Sequence, residues 1–334
     1  MISALSLAFI ASVLIAGLVR HARILDLPNA RSSHSVPTPR GGGLGILAGF
    51  AIGLAAVEMP SGEAGNTLLA ILAAASIGGL IGLLDDLFTL SEKSRFLAMC
   101  LLSLALSVCV GPVTDLGYVI PWGVGLVGSA LWVFTTVNTV NFMDGSDGLM
   151  VACLGPASLA LAIMGEGGVE AGSYLLAAAL AGFAVWNAPL VRDRGRLFAG
   201  DVGSLAAAMV FAGLALWWAS TAGSGSVWLA PLLIMPLLAD VLLTMAARFR
   251  AGRRLFTAHR AHAYQLLLRM GHSHRAVACY WGVMSLAFGT MALAGNLGPL
   301  WVKVSVFVLG VVIAVILHRL VRKKARAAGL DVTE

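Results

Sequence analysis

The stretch LWVFTTVNTVNFMDGSDGLMVACLGPASLALAIM, Leu131 to Met164, sets a polar island between two apolar runs. The island, Asn138 to Met150, carries Asn138, Asn141, Asp144 and Asp147. Before it the apolar run reaches back to about residue 119, and after it another covers 149–164. Read with a window of about 20 residues, both runs are candidate membrane spans. The island therefore sits where a span meets water, and the rest of the chain must say on which side.

Composition sets the solvent. The 334 residues are 59% hydrophobic and only 11% charged, with a mean hydropathy of +0.91. So much apolar surface does not fit one soluble core and must face lipid. The net charge of +6 would suit nucleic acid in a soluble protein, but in a membrane protein the placement of the cations carries the information. No nucleic-acid partner is expected. Cys100, Cys109, Cys153 and Cys279 lie in apolar runs without CxxC spacing, which points to buried thiols and against a metal cluster or disulfide. The N-terminal apolar run has no basic residue before it and no cleavage site after it, so it reads as a retained first span.

Eleven apolar segments stand near 1–19, 41–57, 67–84, 96–112, 119–140, 149–164, 171–188, 203–220, 226–246, 276–295 and 300–318. The expected fold is an all-α polytopic integral membrane protein of about 11 (10–11) transmembrane helices, forming one transmembrane domain over 1–334. Alternate connections then fall at about 20–40, 85–95, 141–148, 189–202 and 247–275, with a basic tail at 319–334. These carry 21 of the 22 basic residues, leaving only Lys303 on the other side. Basic residues stay in the cytoplasm, so the asymmetry predicts a cytoplasmic C-terminus and a periplasmic N-terminus.

On that topology the polar clusters share the cytoplasmic face. They are RSSHSVPTPRGGGLGI (31–46), LLDDLFTLSEKSR (83–95), the opening island, WNAPLVRDRGRLFAGDVGSL (186–205) and RRLFTAHRAHAYQLLLRMGHSHR (253–275). Asp85, Asp86, Asp144, Asp147 and Asp201 in one place would repel one another unless a cation is bound or some are protonated. Oxygen ligands without a Cys/His set favour a hard ion, Mg²⁺ with Mn²⁺ as the alternative, and Mg²⁺ commonly completes its shell with substrate phosphates. A diphosphate substrate fits. Gly41, Gly42 and Gly43 would let backbone amides approach anionic oxygens, while arginines and histidines neutralise phosphate. Each piece has a plainer reading. The glycine run also suits a turn or close helix packing, the paired aspartates a solvated helix end, and the basic run 319–326 a topology anchor for anionic lipid.

Five motifs, PTPRGGGLGI, DDLFTLSEKSR, NFMDGSDGL, FAGDVGSL and AHRAHAYQ, stand in an order and spacing that resembles the polyprenyl-phosphate N-acetylhexosamine-1-phosphate transferases, the MraY and WecA superfamily. The resemblance runs from about Asp26 to His274. The HRAHAYQ loop is most similar to the WbpL-like branch and departs from the three successive histidines of the muramyl-pentapeptide enzymes. What the resemblance implies is an enzyme of the bacterial inner (cytoplasmic) membrane. It would move N-acetylhexosamine-1-phosphate from a UDP-sugar to undecaprenyl phosphate and release UMP, initiating O-antigen, exopolysaccharide or other envelope glycans.

It also implies roles. Asp85 and Asp86 match the paired aspartates, with Asp85 orienting the lipid phosphate or taking its proton. Asp201 matches the metal-binding aspartate, and Asp144 and Asp147 line the metal and diphosphate site beside Asn138 and Asn141. Asn187 and Asp193 match nucleotide contacts. His259, Arg260 and His262 match binders of diphosphate or sugar, and Arg40 or Lys93 of lipid phosphate. Undecaprenyl phosphate, a UDP-N-acetylhexosamine and membrane lipid are the partners expected, and a second copy of the chain is a further candidate. The alternative is a secondary transporter, whose carboxylates would lie near the bilayer midplane on broken helices, often with an internal repeat.

Overall fold

In a computed structural model the chain is described over residues 1–22, 24–26, 36–57, 62–88, 90–189, 194–254 and 259–333. It is helical almost throughout. In order the elements are α1 (Ile2–Ala22), β1 (Leu25–Asp26), β2 (Thr38–Pro39), α2 (Gly43–Ala55), α3 (Glu63–Phe88), α4 (Glu92–Val110), α5 (Trp122–Met143), α6 (Leu149–Met164), α7 (Gly167–Asn187) and α8 (Gly200–Thr221). A 3₁₀ turn (Ser226–Trp228) leads into α9 (Ala230–Leu233), α10 (Met235–Arg250), α11 (Ala263–Arg269), α12 (His274–Asn296) and α13 (Leu300–Ala327). Each of the eleven apolar segments is helical. Among the described residues eight helices are long and apolar enough to cross a membrane, and the pair 226–233 and 235–250, bent by 81°, makes a ninth if it is one span. Helices α2 and α6, of 13 and 16 residues, are shorter. At 1.5 Å per residue they reach about 20–24 Å against a hydrocarbon core of roughly 30 Å. Length alone therefore supports eight or nine full crossings in a multi-pass membrane protein, with two helices that fall short.

The bend in the ninth segment has a local cause. Pro231 and Pro236 stand in the first turns of α9 and α10, and a proline has no N–H to continue the preceding helix. Apolar side chains such as Leu14, Val127, Ile163, Val283 and Trp301 point outward, as lipid-facing surfaces require. Helix α8 is the hub, with 94% of its apolar window buried. Small residues bring its neighbours close. A methyl group on Gly43 would collide with the Gly203 backbone, and one on Gly82 with that of Asp201. Gly45, Gly49 and Gly53, four residues apart on α2, meet Ala4, Ala8, Ser12 and Ala16 of α1 in the same way. Without a hydrophobic force between helices in lipid, such close van der Waals contact is what holds them together. Indole N–H groups add cross-ties, from Trp186 to the Val13 carbonyl and from Trp132 to that of Ala212.

The all-α reading needs one small addition. β1 and β2 pair antiparallel, Leu25 opposite Pro39 and Asp26 opposite Thr38, and the Phe198 N–H donates to the Pro39 carbonyl at 2.9 Å. This ladder fixes Arg40 beside the segment that opens α8. Two side-chain expectations change. All four cysteines are free, but Cys109 and Cys279 lie exposed on apolar helix faces instead of buried. In the basic run 319–326, Arg322 is buried, so only Arg319, Lys323, Lys324 and Arg326 are available as an exposed anchor.

Candidate active site

The ends of α3, α5 and α8 meet where Asp86, Asp144 and Asp201 stand, each within two residues of a helix terminus. The first turn of α8 has free backbone N–H groups, and Asp86 supplies an acceptor from another helix: its Oδ2 takes the Asp201 N–H at 3.0 Å. Arg40 pairs with Asp86 Oδ1 at 3.3 Å and also donates to the Asp86 carbonyl. Asp201 Oδ1 accepts from Asn141 Nδ2 at 2.9 Å, and the same amide donates to Ser204 Oγ at 2.9 Å. Arg95 sits between Asp85, to which it donates closely, and Asp201 at 3.7 Å. Asp85 has its other oxygen on the Leu90 N–H, 2.8 Å away. It therefore shapes the α3–α4 turn and shares Arg95 with Asp201.

The opening island forms the opposite wall. Asp147, 5% exposed, accepts the Gly195 N–H on Oδ2 at 2.9 Å, while its own N–H donates to His274 Nδ1 at 3.3 Å. Ser146 Oγ lies 2.9 Å from the same imidazole nitrogen. Gly148 takes a left-handed turn (φ +77°) that starts α6, and its N–H donates to Asn187 Oδ1 at 3.0 Å. Asn187 spends its Nδ2 on the Leu197 carbonyl. Its amide thus pins the island to the segment before α8 from within the wall.

These groups enclose a cavity of about 290 Å³. Of the residues expected at the site, Arg40, Asp86, Asn141, Asp144, Asp147, Asn187 and Asp201 line it. Tyr264, Gln265, His274, Phe198 and Asp26 line it too, and none of the five was singled out for a role from sequence. His274 could have been found, because it lies in the last polar cluster, 253–275; Tyr264 and Gln265 lie inside AHRAHAYQ, but neither residue type by itself marks a cavity wall. A second cavity of about 490 Å³ shares Asp147, Phe198 and His274 and adds Arg20, Arg194 and Arg196. Asp85, Lys93, Asn138, His259, Arg260 and His262 lie outside the lining of the first. Lys93 is exposed, and Asn138 donates to the Phe134 carbonyl of its own helix at 2.8 Å. His262 is buried against α10, with the His259 ring 4.9 Å away. Asp193 falls outside the described residues.

Two glycines of the run do different work from the one expected. Gly42 and Gly43 donate their N–H groups to the Phe198 and Ala199 carbonyls at 2.9 and 3.0 Å, so those amides are already used. Their missing side chains are needed for packing against Leu197, Phe183 and Gly203, the plainer of the two readings.

Asp144 is the electrostatic centre. Burial, then Asp201, Asp147 and Asp86, push its carboxyl well above the usual range. A carboxyl held towards its neutral form by burial and by three neighbouring carboxylates marks a place where a cation would be stabilised. Among the described residues no three Asp, Glu, His or Cys side chains converge as a ligand set, so Asp144, Asp147 and Asp201 do not close a cage. The donors fit a hard divalent ion held by one or two carboxylates, with the remaining positions left to water and phosphate.

Fold and site together define a multi-pass membrane protein with a carboxylate-lined, arginine-flanked cavity at the helix ends. Residues 68–219 match the family model of glycosyl transferase family 4. The chain is 30% identical over 331 residues to the decaprenyl-phosphate N-acetylglucosaminephosphotransferase of Mycobacterium leprae, covering 86% of this chain and 81% of that one. It is 26% identical over 307 residues to the undecaprenyl-phosphate alpha-N-acetylglucosaminyl 1-phosphate transferase of Escherichia coli K12, covering 86% and 81%. The enzyme of that last name from Yersinia pestis is likewise 26% identical, over 314 residues, with the same coverage. The chain belongs to glycosyl transferase family 4, in the superfamily of polyprenyl-phosphate N-acetylhexosamine-1-phosphate transferases.

Proposed function

We propose that the protein transfers N-acetylhexosamine-1-phosphate from a UDP-sugar to undecaprenyl phosphate, giving undecaprenyl-diphosphate-N-acetylhexosamine and UMP. The observation that carries this reading is the meeting of Arg40, Asp86, Asp144, Asp147 and Asp201, from four separate stretches of chain, around one cavity. The kinship with polyprenyl-phosphate sugar-phosphate transferases supplies the reaction class.

In the reaction a lipid-phosphate oxygen attacks the β-phosphorus of the donor. The bond from that phosphorus to the oxygen bridging the two phosphates breaks, and UMP leaves with the bridging oxygen. A lipid phosphate is largely ionised at neutral pH, so positioning and charge neutralisation supply most of the rate enhancement. Arg40, held by Asp86, presents a guanidinium to an incoming phosphate. Asn141 orients Asp201, and Arg95 ties Asp85 to it, so the carboxylates keep fixed places as charge moves. Asp201, with Asp144 or Asp147, would hold Mg²⁺ or Mn²⁺, which supplies charge neutralisation on the diphosphate oxygens. His259, Arg260 and His262 act on the donor indirectly, from the turn that backs Tyr264 and Gln265 in the cavity wall. The motif loops then face the cytoplasm in the bacterial inner membrane, as the Arg/Lys asymmetry expects, and the lipid tail stays in hydrocarbon. Initiation of O-antigen or exopolysaccharide units is the pathway role that accompanies the WbpL-like loop. Carboxylates at helix ends favour this over a transporter, whose site would lie at mid-helix.

The test uses purified protein, undecaprenyl phosphate, Mg²⁺ and a panel of UDP-N-acetylhexosamines. Wild type should release UMP with at least one donor, and Asp201→Ala should not. Wild type that matches Asp201→Ala across the panel overturns the proposal.

A further inference from the structure

Within the apolar run of α10 stands one carboxylate, Asp240, 2% exposed and outside the cavity lining. A buried carboxylate in such a place is costly unless every oxygen is satisfied. Three of its partners belong to one turn. Oδ1 accepts the Ala263 N–H at 2.7 Å and Oδ2 the Tyr264 N–H at 3.2 Å, the free first-turn amides of α11. Oδ1 also accepts from Thr244 Oγ1 at 3.1 Å and faces His262 Nδ1 at 3.6 Å and His318 Nε2 at 3.8 Å. His318 is fixed in turn by Thr244, 3.2 Å away.

The other side of that turn is the cavity wall. The rings of His262 and Tyr264 stack with centroids 6.1 Å apart, and the Tyr264 hydroxyl fills the space where Gly145 has no side chain. Gln265 Oε1 accepts the His262 N–H at 3.2 Å, and Gln265 and Tyr264 both line the cavity. One carboxylate thus holds the His262–Gln265 turn from behind while the front of the turn closes on the DGSDG island.

We propose that Asp240 is a positioning residue for donor binding: it sets the His262–Gln265 turn so that Tyr264 and Gln265 present a fixed wall to the UDP-sugar. The inference rests on the donor reading given above. Asp240 touches no reacting atom, so its loss acts on the donor and spares the lipid carrier.

Asp240→Asn keeps the volume but turns one acceptor into a donor facing an N–H. The expected result is a donor Kd, by calorimetry without lipid carrier, about tenfold weaker, with the donor KM rising in parallel. The KM for undecaprenyl phosphate should stay within about twofold of wild type. Asp240→Glu restores both acceptors and the charge on a longer arm, and should bind donor at least about threefold more weakly than wild type but better than Asp240→Asn. A role confined to stability would lower the melting temperature and the active fraction and leave both KM values unchanged. Folded Asp240→Asn with wild-type donor Kd overturns the proposal; should that variant not fold, wild-type donor binding by Asp240→Glu overturns it. Wild-type protein that binds donor without releasing UMP overturns the transfer reading alone, whereas wild-type turnover beside unaltered variants overturns this inference alone.

Discussion

Three glycines on one helix give a graded test of how closely the site depends on helix spacing. Gly78, Gly79 and Gly82 all lie on α3 and face α8 or its neighbours. A methyl on Gly78 would have its nearest atoms at 3.6 Å, in Leu102 and Met209, which is ordinary contact. One on Gly79 would stand 3.3 Å from the Ala206 methyl and the Val202 carbonyl, a mild squeeze. One on Gly82 would collide with the backbone of Asp201 and stand 2.6 Å from the Val202 nitrogen, where ordinary contact begins at 3.4 Å. Backbone does not rotate away, so α8 would have to retreat by roughly 1 Å at Asp201, a displacement of the size that costs on the order of 100-fold in rate when geometry is critical. Overpacking adds about 1–3 kcal/mol of instability. Gly78→Ala, by contrast, gains up to about 1 kcal/mol of helix propensity. UMP release and thermal melting in detergent should therefore separate. Gly78→Ala should keep its rate and melt at or above wild type, and Gly79→Ala should change little. Gly82→Ala should lose most of its rate even when measured well below its melting temperature. A Gly82→Ala protein that folds and turns over within about twofold of wild type would refute the claim that α3–α8 spacing sets Asp201.

Arg95 ties Asp85 to Asp201, so Arg95→Ala should lower kcat/KM by about tenfold or more, with Arg95→Lys recovering only part; steady-state kinetics at low and high salt would check it. Beyond α13, the Thr333 carbonyl accepts from Arg248 at 2.5 Å and the Val332 carbonyl from Arg322 at 2.7 Å, while Val332 packs on Leu266. Removing residues after Ala328 leaves two buried guanidinium groups short of acceptors and should cost about 1–3 kcal/mol, read as a lower melting temperature. Burial, with His262 and Arg248 nearby, pushes His259 down to about 4. Its neutral form is then favoured by folding. The stability this gives is present above the ordinary imidazole value of about 6.5 and is lost as pH falls from there towards 4. Histidine NMR should show His259 titrating well below the ordinary imidazole range, and an inflection near 6.5 would contradict the downward shift.

The aspartates were legible in the sequence because a carboxylate is expensive in so apolar a chain, and Arg40 was legible by its neighbours. Four of the five aspartates and Arg40 line the cavity. Asp85 does not, because adjacent residues on a helix point about 100° apart: Asp86 turns to the cavity and Arg40, and Asp85 to Arg95 and the Leu90 N–H. The glycine run was open to two readings, and at Gly42 and Gly43 the carbonyls of Phe198 and Ala199, distant in sequence, decide for packing. Asp240 was not legible because, Thr244 apart, its partners lie more than twenty residues away, at His262, Ala263, Tyr264 and His318.

Sequence alone determined that this is a helical membrane protein, where its apolar segments run and which polar motifs punctuate them. Those follow from hydropathy and from the cost of exposing polar backbone to lipid, both properties of the local chain. Tertiary structure decided which members of each motif face the cavity, which amides are already bonded, and that Tyr264, Gln265 and His274 complete its wall. Those depend on how close two helices come and how each is rotated, and small residues such as Gly43, Gly82 and Gly203 set that closeness only through the backbone they meet.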